Sequence, residues 1–159
     1  MDASQVPKPE LTGRIAGIDY GTVRIGVALS DAECRIASPF ANYTRRGPAG
    51  DADYFRRLAR DEQVARFVVG LPVHLDGRES QKSHEARQFG QWLAETTGVN
   101  VVFFDERFTT SEAERFLAEA KLTKKQRKAR LDKLAAQIML AAYLESDPRC
   151  ASRPQGLDD

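Results

Sequence analysis

The chain has 159 residues, 42% of them hydrophobic, and its 24 basic and 23 acidic side chains leave a net charge of +1. That is enough chain for one packed domain of the usual ~100–150 residues, and it excludes a uniformly basic coat and an acidic disordered chain alike. No apolar run approaches the ~20 residues of a membrane span, the start from Met1 to Glu10 lacks the basic-then-apolar order of a secretory signal, and Cys34 and Cys150 form no CxxC pattern, so the cytoplasm is the expected compartment.

Residues 1–12 read as a flexible polar arm and residues 147–159 as a flexible tail, because Pro, Gly and charge dominate both. Residues 13–146 are the expected domain. Arg14 to Asp19 and Arg24 to Ser30 are two strands joined by the turn signal Gly21-Thr22, a hairpin. Cys34 to Tyr43 is a third strand, with Pro39 marking an edge or a bulge. Asp51 caps a helix running to about Gln63, with Tyr54, Phe55 and Leu58 at helical spacing. Phe67 to Leu71 is a continuous apolar run, as in a strand buried on both faces. Ser80 to Thr97 is a helix with Ala86, Phe89, Trp92 and Leu93 inward and Gly98 as its stop. Val99 to Phe104 is another buried strand. Thr110 to Ala120 is a helix whose Ser111 and Glu114 fit a capping box. Leu131 to Leu144 is the last helix, its inner stripe made of Leu131, Leu134, Ala135, Ile138, Met139 and Ala142. Three antiparallel strands followed by alternating helix and strand predict an α/β fold with a mixed sheet. Sites in such sheets lie beyond the carboxyl ends of the parallel strands.

Carboxylates stand at those ends. Asp19 closes the first strand beside Gly17 and Gly21, where a metal or phosphate can approach the backbone; a plain turn aspartate is the alternative. Asp105 and Glu106 follow the strand ending at Phe104. Extended neighbours face opposite ways, so Asp105 is expected to point away from a site that Glu106 enters; a solvated acidic turn pairing with Arg107 is the alternative. Asp132 opens the last helix near its apolar stripe, where the helix dipole alone also favours an acid. Three acids in one volume repel unless cations hold them, and hard oxygen ligands suit Mg²⁺ or Mn²⁺. Two such ions clamp the attacking and leaving oxygens of a phosphodiester. The basic run Lys121, Lys124, Lys125, Arg127, Lys128, Arg130 and Lys133 abuts Asp132 and could hold phosphates, or be a solvated linker. Arg24, Arg78 and Arg107 flank the same strand ends. Arg45, Arg46, Arg56, Arg57 and Arg60 read better as a solvated helix face. His74 and His84 have no partner at ligand spacing, and Trp92 reads as core.

Four segments carry a resemblance, in order: Gly17-Ile18-Asp19-Tyr20-Gly21-Thr22-Val23-Arg24-Ile25-Gly26-Val27-Ala28-Leu29-Ser30-Asp31; Val69-Gly70-Leu71-Pro72 with Asp76-Gly77; Asp105-Glu106-Arg107-Phe108-Thr109-Thr110; and Leu131-Asp132-Lys133-Leu134-Ala135-Ala136. Together they resemble the motifs of the YqgF (RuvX) family over about residues 13–145. The resemblance implies a ribonuclease H-like fold, a five-stranded mixed sheet flanked by helices. It implies a divalent-metal-dependent nuclease of the resolvase-like branch, connected both with Holliday junctions and with the 5′ end of the 16S ribosomal RNA precursor. Its acids carry over to Asp19, Glu106 with Asp105 beside it, and Asp132. Val23 stands where many relatives have a basic residue.

The leading expectation is therefore a nuclease, endo- or exo-, acting on structured RNA. Asp19, Glu106 and Asp132 would be catalytic and would hold Mg²⁺ or Mn²⁺ with Asp105. Arg24, Arg78, Arg107, Lys124, Lys125, Arg127, Lys128 and Arg130 would hold the nucleic acid, with ribosomal particles as further partners. A junction resolvase would need two active sites, hence a homodimer, where an RNA nuclease could be a monomer. A non-catalytic RNA-binding transcription or ribosome-assembly factor would use the basic run but leave the acids without purpose. Gly17 to Thr22 also resembles the first phosphate loop of the actin and sugar-kinase superfamily, which encloses nucleotide between two such domains; this chain has room for one.

Overall fold

The computed structural model describes residues 13–72, 80–105 and 123–147, and of residues 124–133 the helical backbone alone. β1 (Arg14–Asp19), β2 (Arg24–Ser30) and β3 (Ala37–Thr44) form an antiparallel meander; β4 (Val64–Leu71) and β5 (Asn100–Asp105) add parallel strands on the far side of β1. The sheet order is β3-β2-β1-β4-β5. The crossover helices α1 (Pro48–Asp61) and α2 (Gln81–Thr97) pack together on one face; α3 (Lys124–Ser146) lies across the other. This is the expected mixed sheet, and its topology is ribonuclease H-like.

Period-two alternation divides the core between the faces. Ala16, Ile18, Val27, Phe67 and Val69 bury against α1 and α2, around the fully enclosed Phe55. Ile15, Ala28 and Val68 bury against Ala136, Met139, Leu140 and Tyr143 of α3. β4 lies between two parallel partners, so it is apolar on both sides. α2 follows its sequence signals. The Ser80 side chain accepts from the Ser83 N–H at 3.1 Å, and Gly98 closes the helix at φ 73°.

Three expectations need correction. The third strand begins at Ala37, because Cys34 sits at φ 58° in a turn fastened by the Asp31 carboxylate, which accepts from the N–H groups of Arg35 and Ile36. Pro39 marks both an edge and a bulge: β3 is the outer strand, and its register with β2 slips between Val27–Ala41 and Ala28–Pro39. α1 begins at Pro48, not at a cap on Asp51. Proline at the first helical position is already shaped for the helix, so Asp51 falls inside the first turn and is buried.

The third correction concerns α3. It starts at Lys124, so the basic run from Lys124 to Arg130 is helical and Asp132 lies in the third turn rather than at its opening. Its buried row is Ala136, Met139, Leu140, Tyr143 and Leu144; of the members of the expected stripe whose side chains are described, Met139 is fully buried while Leu134, Ala135, Ile138 and Ala142 are half-covered. A segment apolar nearly all round leaves its rotation to close packing. Here Gly17 decides: a Cβ there would lie 2.8 Å from the Leu140 Cβ and 3.2 Å from the Ala136 carbonyl oxygen. Asp147, expected in the tail, is buried against Arg66. Asp76-Gly77 of the second motif and the expected helix from Thr110 to Ala120 lie outside the described residues.

Candidate active site

β1, β4 and β5 run parallel and end together, and Asp19 is the last residue of β1. Alternation from Ile15 through Gly17 puts Asp19 on the face that carries α3. It pairs with Gly26 of β2. On the other side, the β4 position after Val69, the partner of Ile18, is Gly70. Strands lie about 4.8 Å apart, so the half-buried Asp19 has a glycine opposite it on each neighbouring strand. Arg24 is exposed and two residues before Gly26, which places it on the same face at the same end of the sheet.

Asp105 pairs with Leu71, a residue of the α1/α2 core, so it lies on the face opposite Asp19. Glu106 lies outside the described residues, as do Arg78 and Arg107. Asp132 is one helical turn before Ala136, and Ala136 is the residue whose carbonyl meets Gly17. Asp19 is two residues beyond Gly17, about 7 Å along the strand, and a helical turn is about 5.4 Å. Strand and helix thus bring both positions within one step of a common contact. Among the described residues no three His, Cys, Asp or Glu side chains form a metal-binding group. The donor type fits a hard divalent cation nonetheless: a carboxylate oxygen at a glycine-flanked strand end.

The chain after Asp19 reverses within four residues. Gly21 is required there, since a Cβ would stand 2.2 Å from the Arg24 carbonyl oxygen. Sequence reasoning set Arg45 among surface arginines, but it belongs to this turn. Its Nη1 donates to the Tyr20 hydroxyl at 3.1 Å, and its backbone N–H donates to the Val23 carbonyl at 2.9 Å. Its Nε donates to Asp51 at 3.0 Å. Asp51, with no solvent exposure, also accepts from the Tyr43 hydroxyl at 2.7 Å and the Arg46 N–H at 2.9 Å. Burial pushes the Asp51 pKa up, but these hydrogen bonds and the Arg45 charge outweigh it and hold the carboxyl below its ordinary range. Burial and the Asp51 hydrogen bond push the Tyr43 hydroxyl up to about 12. Arg57 and Arg60 are exposed and pair with Asp53 and Asp61, as a solvated face should. His84 is exposed, Trp92 packs on the core, and His74 lies outside the described residues.

A ribonuclease H-like sheet with an acid at the end of its central strand defines the class. A family model described as RuvX, Holliday junction resolvase, matches residues 13–146, and the chain belongs to that family. A relative from Rhodopirellula baltica, named "Putative pre-16S rRNA nuclease", is 50% identical over 135 residues, covering 85% of this chain and 78% of its own. One of the same name from Syntrophomonas wolfei is 39% identical over 132 residues, 83% of this chain and 94% of its own. Among solved structures, Thermus thermophilus RuvC in complex with a Holliday junction substrate superposes with a TM-score of 0.49 at 14% identity, covering 84% and 97%. Among the described residues no helix is long and apolar enough to cross a membrane.

Proposed function

We propose that this protein is a divalent-metal-dependent nuclease that hydrolyses phosphodiester bonds in the 16S ribosomal RNA precursor, at its 5′ end. The observation that carries the reading is Asp19, at the end of β1 with glycine on both flanks, in a chain 50% identical to a relative named for that substrate. Asp19, Glu106 and Asp132 would hold Mg²⁺ or Mn²⁺. Such ions, when bound, supply activation of water and charge neutralisation at the scissile phosphodiester. The chain's own residues do the rest. Gly26 and Gly70 leave room for the backbone of the substrate beside Asp19. Arg24, on the same face, and the residues Lys124, Lys125, Arg127, Lys128 and Arg130, along the first two turns of α3, would position phosphates around the acids. Arg78 and Arg107 complete the proposed set. Asp105, on the face opposite Asp19, is left out of the proposed ligand set. The proposed setting is cytoplasmic, on ribosomal precursor particles.

The family's description favours a second reading, cleavage of four-way DNA junctions, which requires paired sites in a symmetric dimer. One experiment addresses both. The protein and its Asp19→Asn variant are incubated with a precursor RNA fragment and a four-way junction, in Mn²⁺ and in EDTA. The expected result is Mn²⁺-dependent RNA cleavage, abolished by Asp19→Asn while binding persists. Cleavage of the junction alone would select the second reading; undiminished cleavage by Asp19→Asn would remove Asp19 from the mechanism.

A further inference from the structure

The turn Tyr20-Gly21-Thr22-Val23 begins directly after Asp19, and its glycine is conformationally permissive. Both ends of the turn are gripped by one residue from outside. Arg45, just beyond β3, binds the Tyr20 hydroxyl through its guanidinium and the Val23 carbonyl through its own N–H. The guanidinium also lies over the rings of Tyr20 and Phe89, at 5.5 and 5.8 Å from their centroids, and the two rings are 5.1 Å apart. Arg45 is itself fixed by Asp51, which is locked in α1 by two further hydrogen bonds.

We propose that Arg45 is a positioning residue for the acid at the end of β1: it clamps both ends of the following turn and thereby fixes the Asp19 carboxylate for cation binding. The proposal rests on the reading of Asp19 as a metal ligand. It follows from the shape of the guanidinium. Two N–H groups on different nitrogens reach Asp51 and Tyr20 at once, at 3.0 and 3.1 Å, a fork that the single ammonium of lysine cannot reproduce. Hydrogen bonds made directly to a ligating side chain are worth roughly 10–100-fold in metal affinity; Arg45 acts one step further out, through the turn, and a ligand displaced by about 1 Å can cost about 10²-fold in rate.

The test uses the full chain with Arg45→Lys, Tyr20→Phe and Asp19→Asn. Mn²⁺ affinity is measured without nucleic acid, by the spin-resonance signal of the free ion, and amide exchange is followed over residues 19–24. Arg45→Lys is expected to weaken Mn²⁺ binding about tenfold and to speed exchange across the turn. Tyr20→Phe, which keeps the ring on Phe89 and removes only the hydroxyl, is expected to do the same to a smaller degree with an unchanged melting temperature. Should Arg45→Lys fold poorly, Tyr20→Phe decides. Mn²⁺ affinity within twofold of the parent in Tyr20→Phe, with unchanged exchange, would overturn the proposal while weakened binding in Asp19→Asn left the metal reading intact. Parental affinity in Asp19→Asn would instead remove the metal reading, and the proposal with it.

Discussion

Two Tyr–Asp–Arg sets sit on opposite faces and near opposite ends of the same sheet. Tyr43, Asp51 and Arg45 lie on the α1/α2 side, by the turn after β1. Tyr143, Asp147 and Arg66 lie on the α3 side, where Arg66 pairs with Ile15 near the start of β1. The first set spans eight residues of sequence; the second joins residues 81 apart. Their arginines differ most. Arg45 keeps 27% of its side chain in solvent and extends a hydrogen bond to Tyr20. Arg66 is 4% exposed, and its Nε has no hydrogen-bond partner among the described residues. The local set shapes a turn, while the distant set pins the end of α3 to β4. Similar chemistry thus serves positioning in one place and closure in the other, and the cost of breaking each should differ accordingly.

Asp147→Ala should have the largest effect. It strands a buried guanidinium, a change that typically costs about 3–5 kcal/mol, and in a chain of this size should lower the melting temperature by roughly 10 °C. Calorimetry measures it directly. Asp51→Ala should cost less, about 2–3 kcal/mol, because Arg45 can turn to water; its larger consequence should fall on Mn²⁺ affinity. If Asp147→Ala instead weakened Mn²⁺ binding more than Asp51→Ala at matched stability, the division of labour would be wrong.

Gly17→Ala should follow. A Cβ at 2.8 Å from the Leu140 Cβ and 3.2 Å from the Ala136 carbonyl must push α3 off the sheet, at about 1–3 kcal/mol for overpacking. The same shift would carry the backbone at Asp132 away from β1. Cleavage should therefore fall more steeply than the melting temperature suggests. Loss of stability with full activity would separate Asp132 from the Gly17 contact.

Much of this architecture was legible in the residues. The strands β1, β2, β4 and β5 follow apolar runs bounded by Gly and Asp, and α2 carries its own start and stop in Ser80 and Gly98. Alternation along the strand also explains why Asp105, paired with Leu71, lies on the face opposite Asp19. Illegible were features that depend on distant contacts. The rotation of α3 is set by Gly17, more than a hundred residues earlier, and no periodicity in a segment rich in Leu, Ala, Ile and Met can report it. Arg45 resembled four other arginines until Asp51 and Tyr20 met it from two directions. Gly26 and Gly70 flank Asp19 only across strands; their signal, a glycine within an apolar strand, was present without its address.

The smallest effects are expected from pH, and they sharpen the same comparison. The Asp51 carboxyl titrates below its ordinary 3.8 in the folded chain: burial raises it, but the hydrogen bonds from Arg46, Tyr43 and Arg45 more than reverse that. A depressed folded pKa stabilises fully above the unfolded value of about 3.9 and is lost as pH falls through the folded one. The deficit of Asp51→Asn against the parent should therefore be constant near neutrality and shrink below about pH 4. The tyrosines act at the other extreme. Burial and a carboxylate partner push both Tyr43 and Tyr143 up to about 12 from 10.0, so each stabilises fully below pH 10.0 and loses its contribution as pH rises toward 12. Tyr43→Phe and Tyr143→Phe should each cost about 1 kcal/mol near pH 7, and both deficits should narrow above pH 10. Urea midpoints across pH 3–11 would read all three slopes. An Asp51→Asn deficit that grew in acid would mean that burial, not the hydrogen bonds, governs that carboxylate, and the local set would then be a strained core feature rather than a support for the turn.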